Sequence, residues 1–340
     1  HFRSSRLGRV AASARPTPEY RQQRGSEAPG RGHMATLQEL VLALAQLGAS
    51  SRDEAAWSTV VGFCRRRWDI PVLLAAGYLA MVYATLKTIP PHRFAGAVDR
   101  GFAAWNLCLA LFSCWGVSQM SQAISAAALS EGFFFTVCAD TKSLMRYCGG
   151  NANLLALSLF CLSKIPELGD TVFLILKRKP VRLLQWYHHA TVMLFCWLAL
   201  ATEYTPGMWF ALTNYFVHSV MYMYFFLMTF KSAARVVKPI APFVTIIQIA
   251  QMVWGLIVNA VAVGSYFRTG SCQIQPVTVY CAIAMYASYF WLFSQLFLES
   301  RRAARKTGGS MARSLSRRLS RTLMGEHAEA SGEEGGKKVN

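Results

Sequence analysis

Lys164-Ile165-Pro166-Glu167-Leu168-Gly169-Asp170-Thr171 is followed, after a basic loop, by Gln185-Trp186-Tyr187-His188-His189. On both sides of this stretch the sequence is close to continuous apolar helix, and that contrast decides the class of fold. Polar and ionisable groups at membrane depth are costly and usually functional. A lysine, two carboxylates and two histidines in such a setting therefore mark where chemistry is to be sought.

Outward from this stretch, apolar segments lie at roughly 70–88, 100–119, 151–176, 184–202, 207–228, 240–266 and 277–299. Several reach the ~20 residues needed to cross a ~30 Å hydrocarbon core as helix. The chain has 340 residues, of which 54% are hydrophobic and 13% aromatic, and its mean hydropathy is positive, high for a soluble globular protein. The expectation is an all-α polytopic membrane protein with seven transmembrane helices. The formal charge of +18 lies in the tails and short loops, which fits topology signals and anionic lipid, and no nucleic-acid partner is expected.

Positive charge also orients the spans. Lys177-Arg178-Lys179, Lys231/Arg235/Lys238 and Arg301-Arg302 fall on one side, which should be cytosolic. Seven spans then put the N-terminus in the lumen and the C-terminus in the cytosol. Arg65-Arg66-Arg67, just before the first span, runs against this rule. Residues 1–69 read as a mostly disordered leader, 70–300 as the seven-helix domain and 301–340 as a basic cytosolic tail. Residues 1–33 are rich in Arg, Gly, Pro and Ser, too polar to offset the entropy of ordering, and read as disordered or outside the mature protein. In the tail, Met311, Leu315, Leu319 and Leu323 recur among arginines, as in a basic helix on a membrane surface or a solvated charged segment. Lys337 and Lys338, third and fourth from the end, match the dilysine retrieval signal of endoplasmic reticulum membrane proteins, a receptor-read address.

Nine cysteines include no C-x-x-C pair, so a zinc ribbon or thioredoxin-like site is not expected. Cys138 and Cys272 fall in loops on the lumenal side, where oxidation allows a disulfide; Cys148 competes for either.

Four spans carry one-sided polar stripes. Lys164, Glu167, Asp170 and Thr171 stand at i, i+3, i+6 and i+7, one face of a continuous helix. Gln185, His188 and His189 follow at i, i+3 and i+4; Asn214, His218 and Tyr222 at one-turn intervals; Thr245, Gln248 and Gln251 at i, i+3 and i+6. Each stripe alone would serve as interhelical hydrogen-bond glue. Four consecutive stripes facing one another would line a single polar chamber open toward the cytosolic basic loops. Histidines act as ligands, bases or nucleophiles, but three in the membrane are too few for a di-iron site, so no metal is expected.

These residues resemble the very-long-chain fatty acid elongase family, the condensing enzymes of the endoplasmic reticulum. Lys-x-x-Glu-x-x-Asp-Thr is met by Lys164, Glu167, Asp170 and Thr171. The box His-x-x-His-His is met by His188 and His189, with Gln185 at its first position. Asn-x-x-x-His-x-x-Met-Tyr is met by Asn214, His218, Met221 and Tyr222, and Thr-x-x-Gln-x-x-Gln by Thr245, Gln248 and Gln251. The resemblance covers roughly residues 70–300.

It implies six helices enclosing an acyl-chain tunnel, a disulfide between Cys138 and Cys272, and an acyltransferase reaction. Acyl-CoA condenses with malonyl-CoA to 3-ketoacyl-CoA, CO2 and CoA, with no further cofactor. By that resemblance His188 attacks the thioester, His218 and Asn214 stabilise the enolate, and Glu167, Asp170 and His189 complete the catalytic set. Lys164, Thr171, Gln185, Tyr222, Thr245, Gln248, Gln251, Lys177 and Lys179 would meet substrate or CoA. Gln185 cannot titrate or attack and reads as a positioning residue. Implied partners are membrane lipid, the ketoacyl-CoA reductase, dehydratase and enoyl reductase of the cycle, and a second copy of the chain. Rival readings are a heptahelical receptor, disfavoured by the facing histidines and carboxylates, and a proton-coupled transporter, which usually shows internal repeats.

Overall fold

The computed structural model describes residues 36–50, 52–85, 95–147, 153–270, 272 and 274–302, and no strand occurs among them. The leader 1–33, Cys148 and the dilysine Lys337/Lys338 lie outside the described residues.

Residues 37–66, expected within a disordered leader, form two helices. Helix α1 (Leu37–Ala49) opens on a capping box, in which Thr36 and Glu39 satisfy each other's backbone N–H groups. Helix α2 (Glu54–Arg66) starts at Asp53, whose side chain accepts from the Ala56 N–H. Leu40, Ala43 and Leu47 of α1 and Trp57, Val60, Val61 and Cys64 of α2 are buried. An apolar face at helical spacing, once capped, is enough to fold this segment onto the bundle.

Helix α3 (Asp69–Thr85) follows at a 53° bend from α2. The remaining helices are α4 (Ala95–Glu131), α5 (Phe133–Cys138), α6 (Thr141–Met145), α7 (Asn153–Ser163), α8 (Gly169–Leu176), α9 (Leu183–Ala201), α10 (Gly207–Met228), α11 (Lys231–Val237) and α12 (Ala241–Thr269). The last is α13 (Pro276–Arg302).

Seven spans are not confirmed by the described residues. Three described helical stretches are long and apolar enough to cross a membrane, Gly96–Glu131, Lys231–Arg268 and Pro276–Arg302, or four if the bent pair α2–α3 counts as one span. Helices α9 and α10, with 19 and 22 residues, have the length, but their site residues dilute their apolar character. The span expected at 151–176 is broken. Pro166 has no N–H to give and cannot continue a helix, so α7 ends at Ser163 and a 3₁₀ turn, Pro166–Leu168, precedes α8. Lys164, Glu167, Asp170 and Thr171 therefore do not share one continuous helical face.

The helices pack up and down. Helix α4, 37 residues or about 55 Å long at 1.5 Å per residue, lies along α10. At one end of the bundle Cys138 and Cys272 form a disulfide and Tyr204 donates to Asn259 (2.7 Å). At that end, outside the spans, Tyr147 donates to Glu131 (2.6 Å), which pushes the phenol pKa up by stabilising its neutral form. At the other end the loop after α8 carries Lys177, which pairs with Asp99 at the start of α4. The arginines that run against the charge rule sit at the disulfide end. Arg65 Nε donates to the Ala201 carbonyl (2.7 Å) and its guanidinium to Glu203 (3.0 Å), while Arg67 holds Asp69 through two nitrogens (2.9 and 2.8 Å). Arg65 thus satisfies a helix C-terminus, a favourable place for a cation.

Close packing leaves no room at Gly255, where an added Cβ would lie 2.3 Å from the Tyr286 ring. Tyr286 is itself buried. Gly255→Ala should destabilise the protein by about 1–3 kcal/mol, the usual cost of overpacking, read as a lowered melting temperature in detergent. An unchanged melting temperature would mean that α12 and α13 can separate freely.

Candidate active site

Polar residues from α7 to α10 meet between the helices. Lys164 and Glu167, 2% and 3% exposed, are joined at 2.7 Å, and Lys164 Nζ also donates to Asn214 Oδ1 (3.2 Å) and lies 4.4 Å from the centre of the Phe160 ring. Glu167 Oε1 also accepts from Ser163 (2.9 Å). Its other oxygen, Oε2, is buried with no hydrogen-bond partner among the described residues and lies 3.9 Å from His218 Nδ1. Asn214 Nδ2 reaches His218 Nε2 at 3.2 Å, so the imidazole is held between an amide and a carboxylate.

A second strand of contacts runs through Asp170. One oxygen accepts from Trp105 Nε1 (2.7 Å), the other from the Tyr222 hydroxyl (2.7 Å), and that second oxygen is 4.0 Å from His189 Nε2. Gln185 presents its amide nitrogen to the same ring nitrogen at 2.8 Å. In this arrangement the NH2 group donates and His189 Nε2 accepts, which places the ring proton on Nδ1. Thr171 is 3.5 Å from the Gln185 amide and 2.8 Å from the Tyr78 hydroxyl of α3. Gln185 thus fixes His189 and ties α9 to α8.

His188 differs from the other two membrane histidines. Its ring makes no hydrogen bond with any described residue. It is positioned by Tyr289 at 4.7 Å between ring centres, by Phe293 at 6.5 Å and by His189 at 5.4 Å. Its side chain faces a cavity of about 740 Å³, part of it open to solvent, which is also lined by Asn214, Gln251, Phe160, Val192 and Tyr289.

The fourth stripe joins only in part. Gln251 is buried and lines the cavity. Gln248 donates to the Met221 sulfur (3.3 Å), and Thr245 bonds back to Ala241 O (3.4 Å) in its own helix. Lys177 is engaged by Asp99 and stacks on Phe102, and Lys179 is exposed on the loop. No group of three or more His, Cys, Asp or Glu suited to a metal ion occurs among the described residues.

Tyr78, Trp105, Ser163 and Tyr289 were not singled out in the sequence. Each is an isolated polar-tipped or aromatic residue in an apolar run, and only its partner across the bundle reveals it. Tyr222→Phe removes the donor to Asp170. A hydrogen bond to a charged group is worth about 1.5–3 kcal/mol, so turnover should fall by roughly tenfold or more if Asp170 acts through its orientation. Unchanged kcat and KM in this variant would leave Asp170 a purely structural carboxylate.

The protein is helical and membrane-spanning, and its buried histidine–carboxylate cluster reaches a largely apolar cavity through His188 and Asn214. The comparisons with known proteins define it further. Residues 63–308 match the ELO (GNS1/SUR4) family, and the chain belongs to that family. It is similar to the very long chain fatty acid elongase 4 of Trypanosoma cruzi, 38% identical over 253 residues that span 74% of this chain and 87% of that one. It is also similar to fatty acid elongase 1 of Trypanosoma brucei brucei, 40% identical over 265 residues (70% and 85% of the two chains). The very long chain fatty acid elongase 6 of Drosophila melanogaster is 40% identical over 202 residues (58% and 61%). The chain is thus a multi-pass membrane protein of fatty acid elongation.

Proposed function

We propose that this protein condenses a long-chain acyl-CoA with malonyl-CoA, giving a 3-ketoacyl-CoA, CO2 and CoA. The observation that carries this is the position of His188, whose ring has no hydrogen-bonded partner among the described residues and which lies where the polar cluster meets the apolar cavity. An acyl tail in the cavity would bring its thioester to this ring.

The steps follow from the groups at hand. A ring nitrogen of His188 attacks the thioester carbonyl carbon, the C–S bond breaks, and CoA leaves as thiolate and takes up the proton lost from the ring. The acyl-imidazole splits one difficult step into two easier ones. Malonyl-CoA then loses CO2, and the electron pair of the broken C–C bond becomes a thioester enolate. The enolate carbon attacks the acyl carbon, the C–N bond breaks, and the departing imidazolate takes a proton from solvent, which restores the imidazole. Asn214, whose NH2 group keeps one hydrogen beyond the one it gives His218 Nε2 (3.2 Å), is the donor for the enolate oxygen, and His218 joins it once it takes a proton at Nε2. Glu167 Oε2 behind His218 supports the charge that such donation draws onto the ring. No metal or redox cofactor enters this scheme.

Lys179 on the exposed loop is the residue for CoA phosphate, with Lys177 available when its pair with Asp99 opens, and Gln248 and Gln251 flank the thioester route. The loop side is then cytosolic, the disulfide end lumenal, and the reticulum the expected membrane. The reductase, dehydratase and enoyl reductase that act on such products are the natural partners. Membranes containing the protein, given labelled malonyl-CoA and a panel of acyl-CoAs, should form labelled 3-keto products. No label with any acyl-CoA overturns the reading.

A further inference from the structure

The cavity does not stop at His188. It runs along α9 past Cys196 and Leu200 and ends among Trp57, Thr141, Glu203 and Thr205. From His188 to Leu200 the helix rises roughly 18 Å. The walls between are apolar, but this end is not.

Of these, Trp57, Glu203 and Thr205 are engaged with protein partners. Glu203 Oε1 accepts from Trp57 Nε1 (2.8 Å) and Oε2 from Arg65 (3.0 Å). Thr205 Oγ1 donates to Ala139 O (2.6 Å). Both Trp57 and Arg65 belong to α2, which is pinned further by Trp197 Nε1 donating to Cys64 O (2.8 Å) and by Arg65 on Ala201 O (2.7 Å). Glu203 sits just beyond the α9 C-terminus with φ of 51°, a left-handed conformation that costs a non-glycine residue about 1–2 kcal/mol. Glu203 lines the cavity, while its side chain and that of Arg65 are 32% and 50% exposed. The Glu203 contact therefore stands between the cavity and the outside of the bundle.

We propose that α2 is the floor of the cavity, and that Trp57 and Arg65, by latching it to Glu203, set the longest acyl chain the protein accepts. The proposal rests on the condensation reading above. A chain longer than the cavity must displace the Trp57 indole or break the contact with Glu203. A second residue gives the opposite handle. Gly207, at the start of α10, is buried and lines the cavity, yet a Cβ added there meets nothing within 4 Å. A larger side chain at this position would enter the space itself.

The test uses the full chain in membranes, labelled malonyl-CoA and a graded series of saturated acyl-CoAs, with the ratio of turnover on longer to shorter chains as readout. One methylene too many or too few is worth about 10- to 200-fold in selectivity. Trp57→Ala should raise the ratio about tenfold or more for a substrate one two-carbon unit longer, and Gly207→Leu should lower it as much. Arg65→Gln, whose side chain does not line the cavity, should move it in the direction of Trp57→Ala and decides the matter if that variant fails to accumulate. Wild-type protein without condensing activity overturns the reaction and this proposal with it. Wild-type activity with unchanged ratios in the variants overturns the floor alone.

Discussion

His188→Ala is expected to lower malonyl-CoA-dependent condensation by on the order of 10⁴-fold or more, the scale seen when a nucleophile is removed. The loss should fall on kcat. The acyl tail would still enter the cavity past Phe160, Val192 and Leu200, so apolar substrate binding survives while the atom that forms the acyl intermediate is gone. Two measurements separate this from simple unfolding. A melting temperature near that of wild type is expected, because the His188 ring makes ring contacts but no hydrogen bond among the described residues. Labelled acyl-CoA without malonyl-CoA should leave covalent label on wild-type protein and none on the variant. Gln185→His is the companion. Gln185 orients His189 through one contact of 2.8 Å, and a ring can supply a comparable hydrogen bond, so part of the activity should remain. Normal turnover in His188→Ala would remove the acyl-imidazole step.

Helix was legible wherever apolar residues ran on without charge, and α4, α12 and α13 were expected in roughly the right places. Two physical effects hid the rest. Polar residues at i, i+3 and i+6 look the same on an unbroken helix and on one interrupted at Pro166, because the 3₁₀ turn keeps a similar spacing while changing the direction of the chain. The start signals of α1 and α2, Thr36 with Glu39 and Asp53 before Glu54, were present in the sequence. They lay in a segment whose short apolar faces only gain stability by docking on α7 and α9. The site shows the same division. Lys164, Glu167, Asp170, Gln185, His189, Asn214 and His218 converge because their motifs sit on neighbouring helices. Trp105 and Tyr222 both reach Asp170, but only Tyr222 belonged to a motif. Trp105 is 65 residues away in sequence, and no local spacing encodes such a pairing.

Glu167→Ala should cost about 3–5 kcal/mol of stability, the range for breaking a buried ion pair from one side. Lys164 would keep Asn214 Oδ1 at 3.2 Å and the Phe160 ring at 4.4 Å, too little to compensate an ammonium that is 2% exposed. The penalty comes from the charge left behind, so removing both charges should undo most of it. Replacing buried pairs by neutral residues of similar volume is often neutral or stabilising, and Lys164→Met with Glu167→Gln is expected to melt within a few degrees of wild type. With Lys164→Met and Glu167→Gln also made singly, the double-mutant cycle isolates the pair from each residue's separate packing. Activity should not follow stability. The restored double variant still lacks a charged Glu167 Oε2 behind His218, 3.9 Å away in the wild type, and turnover should stay low. Thermal unfolding in detergent and condensation assays on the same preparations supply both readouts. A single variant as stable as wild type would show that the Lys164 charge is compensated elsewhere. A double variant with normal turnover would show that the Glu167 carboxylate serves the fold and not His218.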